Sequence, residues 1–309
     1  MDGSLKLLYI APETLLRTDD FEDYWFLNFL VSKARINHIV LDEAHATVES
    51  SQDFRPKYRL LGILKEYFED VGVSCLTATA SPSDILEIVK NLKLKDDFNF
   101  ITHSLHRPNL HHHVLKKTDE ISQMMSIITR LPKRSPGLIY CNTKEKCKNI
   151  SDFLNKNGFK ADFFYSTISK KEKDRVLKGF LDGSIDIVVA TSAFGTGINK
   201  PDCRFVINQD MPSSMNDLLQ QIGRSGRDGL PSINYTFFSQ ADVQKLLFIF
   251  RQSISSADRL LKAKKKLDAV LSFCENKTEC RSKLLLAAYG QQLESDCGTC
   301  DNCKRVKHK

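Results

Sequence analysis

Several absences narrow the reading before any motif is considered. No apolar run in the 309 residues approaches the length of a bilayer span, so no membrane-spanning segment is expected. The opening Met1-Asp2-Gly3-Ser4-Leu5-Lys6 has no basic stretch leading into a long apolar one, so no secretory signal is expected there. There is no internal repeat and no low-complexity tract. None of the fourteen glycines is followed by lysine, which leaves these residues without the Gly-x-x-x-x-Gly-Lys-Ser/Thr loop that wraps nucleotide phosphates. Charge is not strongly of one sign: 45 basic against 38 acidic residues give a net +7, which fits a nucleic-acid partner without demanding one.

The chain is long enough for two compact domains and a small third one. Apolar residues make up 41% and charged residues 27%, ordinary values for a globular protein. With no secretory signal, the nine cysteines read as thiols or metal ligands in a reducing compartment rather than as disulfides. Strand-like runs at 7–10, 36–41, 74–77, 137–141, 185–190 and 205–208 alternate with amphipathic stretches at 57–68, 83–92, 144–157 and 170–181. Continuously apolar strands alternating with helices predict parallel sheets covered on both faces. The pattern resets at Arg107-Pro108-Asn109, and from Asp242 to Tyr289 it reads as helix only. Expected domains are therefore 1–105, 106–240 and 241–309.

Ile39-Val40-Leu41-Asp42-Glu43-Ala44-His45 is an apolar strand ending in two adjacent carboxylates. At the carboxyl end of a parallel strand such a pair faces the crevice where ligands bind. Nucleotide hydrolysis needs one carboxylate to hold Mg²⁺ and another to orient or deprotonate water, and Asp42 and Glu43 suit those two tasks. His45 is placed to sense the site from the next turn. Alone, the motif is equally a polar strand end. Three further motifs follow in order: Thr77-Ala78-Thr79, Thr191-Ser192-Ala193-Phe194-Gly195-Thr196-Gly197-Ile198-Asn199, and Gln220-Gln221-Ile222-Gly223-Arg224-Ser225-Gly226-Arg227-Asp228-Gly229. Two arginines three apart at a helix end can share one face and reach a γ-phosphate, or simply be a basic helix terminus favoured by the dipole.

This ordered set resembles motifs II, III, V and VI of superfamily-2 helicases. Asp53-Phe54-Arg55-Pro56-Lys57-Tyr58, Gly137-Leu138-Ile139-Tyr140-Cys141-Asn142 and Gly197-Ile198-Asn199-Lys200-Pro201 resemble the RecQ family in particular. Phe273-Cys274-Glu275-Asn276-Lys277-Thr278-Glu279-Cys280-Arg281 is similar to its eukaryotic Bloom-type branch. The resemblance implies an α/β architecture of two RecA-like doubly wound parallel-sheet lobes and a small helical zinc-binding subdomain. It implies ATP-driven 3′-to-5′ movement on single-stranded or partly duplex DNA in recombination, repair or replication, with ATP and Mg²⁺ as cofactors and no membrane partner. It places the chain in the nucleus of a eukaryote or the cytoplasm of a bacterium. Asp42 would bind Mg²⁺, Glu43 would be the base, and His45, Thr77 and Thr79 would couple hydrolysis to movement. Arg227, with Arg224 beside it, would supply charge to the transition state. Gly197, Asn199 and Gln220 would border the nucleotide, and Arg55, Asn142 and Thr191 would touch DNA.

Cys280-x16-Cys297-x2-Cys300-x2-Cys303 has two close CxxC steps and one distant partner, a spacing that suits a tetrahedral Zn²⁺. Cys274 is a rival to Cys280, and the family match favours Cys280. The ion is read as structural. Cys75, Cys141, Cys147 and Cys203 lie in or beside apolar segments and read as buried small residues. His111-His112-His113 invites a metal reading, but neighbouring side chains of a strand alternate faces, so a strand opening the second lobe is expected instead. Lys262, Lys264, Lys265 and Lys266 read as a solvated face, with DNA-phosphate contact as the second choice.

The chain opens at Leu8-Tyr9-Ile10-Ala11-Pro12-Glu13, which resembles motif Ib, so the expectation is a first lobe shortened at its start, with an unpaired strand edge and weak or no ATP hydrolysis by these residues alone. RecQ proteins carry an aromatic-rich loop after the acid pair, whereas here the stretch is Ala46-Thr47-Val48-Glu49-Ser50-Ser51-Gln52. Two other readings stay open: a non-enzymatic DNA-binding or regulatory protein derived from a RecQ helicase, and an RNA translocase.

Overall fold

The structure is a computed structural model that describes residues 5–18, 24–48, 56–95, 97–195, 198–254 and 256–307. It divides into two compact units, Met1–His103 and Ser104–Lys309.

In the first unit, helices α1 (Pro12–Leu15) and α2 (Trp25–Lys33) precede strand β1 (His38–Leu41), which pairs in parallel with β2 (Gly72–Cys75). Between the strands lie a short 3-10 helix (Ala44–Thr47) and a helical stretch, and α5 (Pro82–Asn91) follows them. The stretch expected as one helix over 57–68 is instead three pieces: α3 (Pro56–Arg59), a 3-10 turn (Leu60–Ile63) and α4 (Leu64–Tyr67). Gly62 explains part of this. Its backbone lies so close to the end of α5 that a Cβ there would sit 2.5 Å from the Asn91 carbonyl oxygen. The expected strand at 7–10 is not one. Leu7, Leu8 and Tyr9 are exposed, and no described strand pairs with them; an apolar run without a hydrogen-bonding neighbour stays irregular. The core gathers Leu16, Leu27, Ala44, Leu61 and Leu92. Ser81 caps α5 reciprocally, its hydroxyl accepting from the Asp84 N–H while the Asp84 carboxylate accepts from the Ser81 N–H.

The second unit is built on six parallel strands: β3 (Leu110–Lys116), β4 (Gly137–Tyr140), β5 (Ala161–Phe164), β6 (Ile187–Ala190), β7 (Phe205–Asn208) and β8 (Ser232–Phe238). Their spatial order is β3-β8-β7-β4-β6-β5. Helices α6 (Glu120–Ile128), α7 (Lys144–Lys156), α8 (Lys170–Asp182) and α9 (Met215–Ile222) connect them. Every residue of β4, β6 and β7 is buried, as expected for central strands covered on both faces. Sheet order reverses at β4, which lies between β6 and β7, so the loops leaving β4 and β7 diverge at a topological switch point. His111, His112 and His113 do lie in a strand, β3, where His113 stacks on Tyr235 of β8.

The helical continuation, α10 (Gln240–Ser253), α11 (Ala257–Glu275), α12 (Arg281–Ala287) and α13 (Asp301–Lys307), does not stand apart. Val243, Leu246, Leu267 and Val270 share one apolar cluster with Val114 of β3 and with Met215 and Leu218 of α9.

An ion cluster ties this continuation to the strand ends. Lys117, 6% exposed, reaches Asp210 at 2.9 Å and Asp242 of α10 at 2.8 Å, and Lys146 reaches Asp210 and Glu120 at 2.6 Å each. Burial alone would raise the Asp210 carboxyl, but Lys117 and Lys146 outweigh it and hold that group below its ordinary range. A carboxylate with a depressed folded pKa contributes stability that is full above about pH 4 and is lost as pH falls through the folded value. Lys117→Met is expected to cost about 3–5 kcal/mol in denaturant unfolding at neutral pH, because it takes the cation from buried Asp242 and leaves Asp210 with Lys146 alone. The difference from wild type should shrink as pH falls below about 4; a loss that does not change with pH would refute the ionic account.

Candidate functional site

The acid pair follows β1 directly. Asp42 is exposed, and its Oδ1 accepts a 2.9 Å hydrogen bond from the Glu43 N–H. Glu43 has φ 51 and ψ 44, a left-handed conformation that is unfavourable for a residue with a Cβ. That bend ends the strand and starts the 3-10 helix carrying His45. The turn is fastened to the neighbouring strand's exit, with the Ala44 N–H donating to Leu76 O and the Leu76 N–H to Leu41 O, both at 2.9 Å. His45 is 3% exposed. Its Nδ1 lies 3.0 Å from Thr77 Oγ1 and 3.3 Å from Glu43 Oε2, so one imidazole bridges the acid pair and the loop after β2. The Thr79 N–H donates to Thr77 Oγ1 at 3.3 Å. The Thr79 hydroxyl is buried with no hydrogen-bond partner among the described residues.

In the second unit Arg224 and Arg227 follow α9. Both donate to the Ile198 carbonyl, at 3.4 Å and 3.1 Å, and Arg227 also reaches Asn199 Oδ1 at 3.2 Å. Partial burial, then repulsion from Arg224, lowers the Arg227 pKa below its ordinary value, although a guanidinium stays charged. The loop is held by Arg107, which donates to the carbonyls of Gly223 and Gly226, and by Asn109, which donates to Gly226 O at 2.9 Å. Gln220 is half-buried on α9. Asn142 follows β4; its N–H donates to Asp210 Oδ2 at 2.8 Å and its side chain to Met211 O at 3.4 Å. Thr191 follows β6, its N–H donating to Phe164 O at 3.1 Å. Arg55 and Gly197, also singled out by the sequence, lie outside the described residues. On α11, Lys262 pairs with Asp258 at 3.2 Å.

The Sγ atoms of Cys280, Cys297, Cys300 and Cys303 all lie within 4.8 Å of one another. Cys297 and Cys303 are 3.9 Å apart and Cys300 and Cys303 3.3 Å. Four thiolates on one zinc stand about 3.8 Å apart, given Zn–S near 2.3 Å, so the donor set fits a tetrahedral ion. Backbone N–H groups point at the sulfurs, from Cys297 to Cys280 Sγ at 3.3 Å and from Arg281 and Cys303 to Cys300 Sγ at 3.4 Å each. A hydrogen bond from Cys300 pulls the Cys297 thiol well below its ordinary pKa, and the same bond raises Cys300. Cys274 is elsewhere: it packs in the apolar cluster of α10 and α11, and burial raises its thiol to about 12.

Two residues next to the cluster were not singled out by sequence reasoning. Arg281, 2% exposed, forms a two-pronged pair with Asp301, Nε to Oδ1 at 2.9 Å and Nη2 to Oδ2 at 3.1 Å. The Val114 N–H of β3 donates to the same carboxylate at 3.5 Å. Arg281 and Asp301 each directly follow a cysteine of the cluster, and Arg281 also closes the stretch similar to the Bloom-type branch, though the sequence alone assigns it no role.

Residues 116–229 match the helicase conserved C-terminal domain, and residues 240–304 match the RecQ zinc-binding domain. Both domains are similar to those of RecQ-family helicases. The chain is 34% identical to the ATP-dependent DNA helicase RecQ of Pasteurella multocida, over 98% of this chain and 46% of that protein. It is also 34% identical to the ATP-dependent helicase SGS1 of Saccharomyces cerevisiae, over 98% of this chain and 21% of that one. The chain thus spans less than half the length of these RecQ relatives. Among solved structures, S. cerevisiae Dbp5 bound to RNA and ADP BeF3 is similar, with TM-score 0.56 and 18% identity over 79% of this chain and 67% of that one. At that identity the likeness speaks for the fold alone, parallel α/β of the RecA-like helicase kind.

Gly226 tests how the RecQ arginine loop is held. Its φ is +56, and a Cβ would sit 2.6 Å from Asn109 Nδ2, 2.7 Å from Ser232 Oγ and 2.9 Å from Leu230 O. Gly226→Ala is expected to cost at least about 1–2 kcal/mol of stability from the left-handed backbone alone. Thermal unfolding within error of wild type would show that the loop is not built as described.

Proposed function

We propose that this chain is part of the motor of an ATP-dependent DNA helicase, moving 3′ to 5′ on single-stranded or partly duplex DNA in recombination, repair or replication. The observation that carries the reading is His45 bridging Glu43 and Thr77, with Arg227 anchored separately on the Ile198 carbonyl and Asn199. In this reading Asp42 holds the Mg²⁺ that accompanies ATP, an ion that offsets charge on the phosphates. Glu43 takes the proton of the attacking water. His45 and Thr77 transmit the state of that carboxylate to the next loop, where Thr79 lies. Arg227, with Arg224, presents positive charge to the developing γ-phosphate, an effect worth about 10³–10⁵ in rate when an arginine finger is correctly seated. Gly197, Asn199 and Gln220 border the nucleotide, and Arg55, Asn142 and Thr191 contact the DNA backbone. The four cysteines hold one structural Zn²⁺. A nuclear location is proposed for a eukaryotic source and a cytoplasmic one for a bacterial source; no described helix is long and apolar enough to cross a membrane.

A second reading, a DNA-binding or regulatory module derived from a RecQ helicase, draws on two features of these residues. They contain no Gly-Lys-Ser/Thr phosphate loop, and the stretch after the acid pair carries no aromatic ring for base stacking. Positioning contributes roughly 7–11 kcal/mol to a catalysed barrier, so an arginine finger cannot replace the missing phosphate grip.

Purified residues 1–309 are accordingly expected to bind single-stranded DNA but to hydrolyse ATP slowly, with no rise when DNA is added. DNA-stimulated turnover on the order of 1 s⁻¹ or faster would overturn the slow-hydrolysis part, and absence of DNA binding would overturn both readings. Elemental analysis should find one zinc per chain. Stripping it with a chelator, or the change Cys300→Ser, should lower the melting temperature; an unchanged melt in metal-free protein would remove the structural role.

A further inference from the structure

The strand order β4-β6-β5 brings three strand exits into one row. Tyr140 and Phe164 are both in register with Ala190 of β6. Asn142, Thr191 and Tyr165 therefore leave neighbouring strands, which lie about 4.8 Å apart. The first two are contacts proposed above. The third, Tyr165, has a distinct environment. Its ring stacks on Phe163, with centroids 5.6 Å apart and planes 13° from parallel. The Lys144 ammonium, from the first residue of α7, lies 6.0 Å from the Tyr165 centroid. Lys144 is exposed and paired with no carboxylate among the described residues.

The chain then turns, the Ile168 N–H donating to Tyr165 O at 3.3 Å and Lys173 Nζ to Ser166 O at 2.6 Å. α8 opens with Lys170 and Lys171, both exposed and likewise unpaired among the described residues. A lysine is usually a mobile, hydrated charge. Here a fixed aromatic face steadies it at the strand exits. An ammonium steadied on one side by a ring keeps donors for a phosphate on the other. Cations interleaved with aromatic rings along an edge are the chemistry that follows a single nucleic-acid strand.

We infer that Lys144, positioned by Tyr165, forms with Lys170 and Lys171 a phosphate-binding strip for single-stranded DNA at the β5 edge of the second unit. The inference rests on the DNA-binding reading above and extends it to residues that reading does not include. Lys144 makes the contact, and Tyr165 acts through it as a positioning residue.

Fluorescence anisotropy with a labelled single-stranded oligonucleotide, across a salt series, tests this on the full chain. Lys144→Ala should weaken binding roughly threefold to tenfold and reduce the slope of log K against log salt by about 0.7, the value for one phosphate contact on a single strand. Tyr165→Leu should weaken binding similarly. Tyr165→Phe, which keeps the ring, should bind as wild type, and Lys144→Ala with Tyr165→Leu should be no weaker than Lys144→Ala alone. A Lys144→Ala protein with wild-type affinity and salt slope would overturn the strip. So would Tyr165→Phe falling as far as Tyr165→Leu, or polyglutamate of matched charge competing as well as DNA. Wild-type protein that binds no DNA removes the proposed function and this strip together; wild-type binding with unaffected variants removes the strip alone.

Discussion

The ammonium of Lys117 sits where β3 ends, shared between the carboxylates of Asp210 and Asp242. Asp210 follows β7 and also accepts from the backbone N–H of Asn142, which follows β4. Asp242 belongs to α10, where it completes a reciprocal cap with Ser239. One buried cation therefore fixes three strand exits and the start of the helical continuation. Ions removed from water cost several kcal/mol each unless their geometry is satisfied. The arrangement consequently tolerates little drift at the carboxyl edge of the sheet, where the loops with the expected DNA contacts begin.

The opposite attachment of the helical continuation is made by the cysteine cluster. Asp301 takes a two-pronged bond from Arg281 and a third from the Val114 N–H of β3. Asn302, fully buried, donates to the carbonyls of Asn276 and Glu279 and so closes the loop that leads to Cys280. A metal in the cluster would act on this frame as a brace: it would hold α12 and α13 against the first strand of the sheet. That makes the RecQ zinc-binding region and the helicase C-terminal domain mechanically one body in this chain, with a shared apolar core rather than a linker between them.

Legibility in the sequence followed the chemistry of each segment. β4, β6 and β7 were readable because their residues are apolar almost throughout, Asn208 at the end of β7 excepted, as central parallel strands require. β8 was not, because Ser232, Asn234 and Thr236 alternate along it and imitate a solvated face. Those three are buried, and they bond sideways instead: Ser232 Oγ to Cys203 O at 3.1 Å, and Ser225 Oγ to Asn234 Oδ1 at 2.9 Å. The single helix expected over 57–68 broke because periodicity does not report that a backbone at Gly62 must approach α5. The apolar run at 7–10 had the composition of a strand but no described neighbour to pair with.

The sequence by itself determined the adjacent carboxylates, the paired arginines, the order of their motifs and the two CxxC steps. These are local patterns whose chemistry is set by residue type and spacing. Only tertiary structure decided which distant groups meet. It set Cys280 rather than Cys274 beside the other three sulfurs, because α11 buries Cys274 in the apolar cluster. It laid His45 across Glu43 and Thr77, because β1 and β2 are parallel neighbours whose exits lie side by side. It set Tyr165 in one row with Asn142 and Thr191, because β6 pairs on one side with β4 and on the other with β5. Strand order is a long-range property of packing, and no local spacing encodes it.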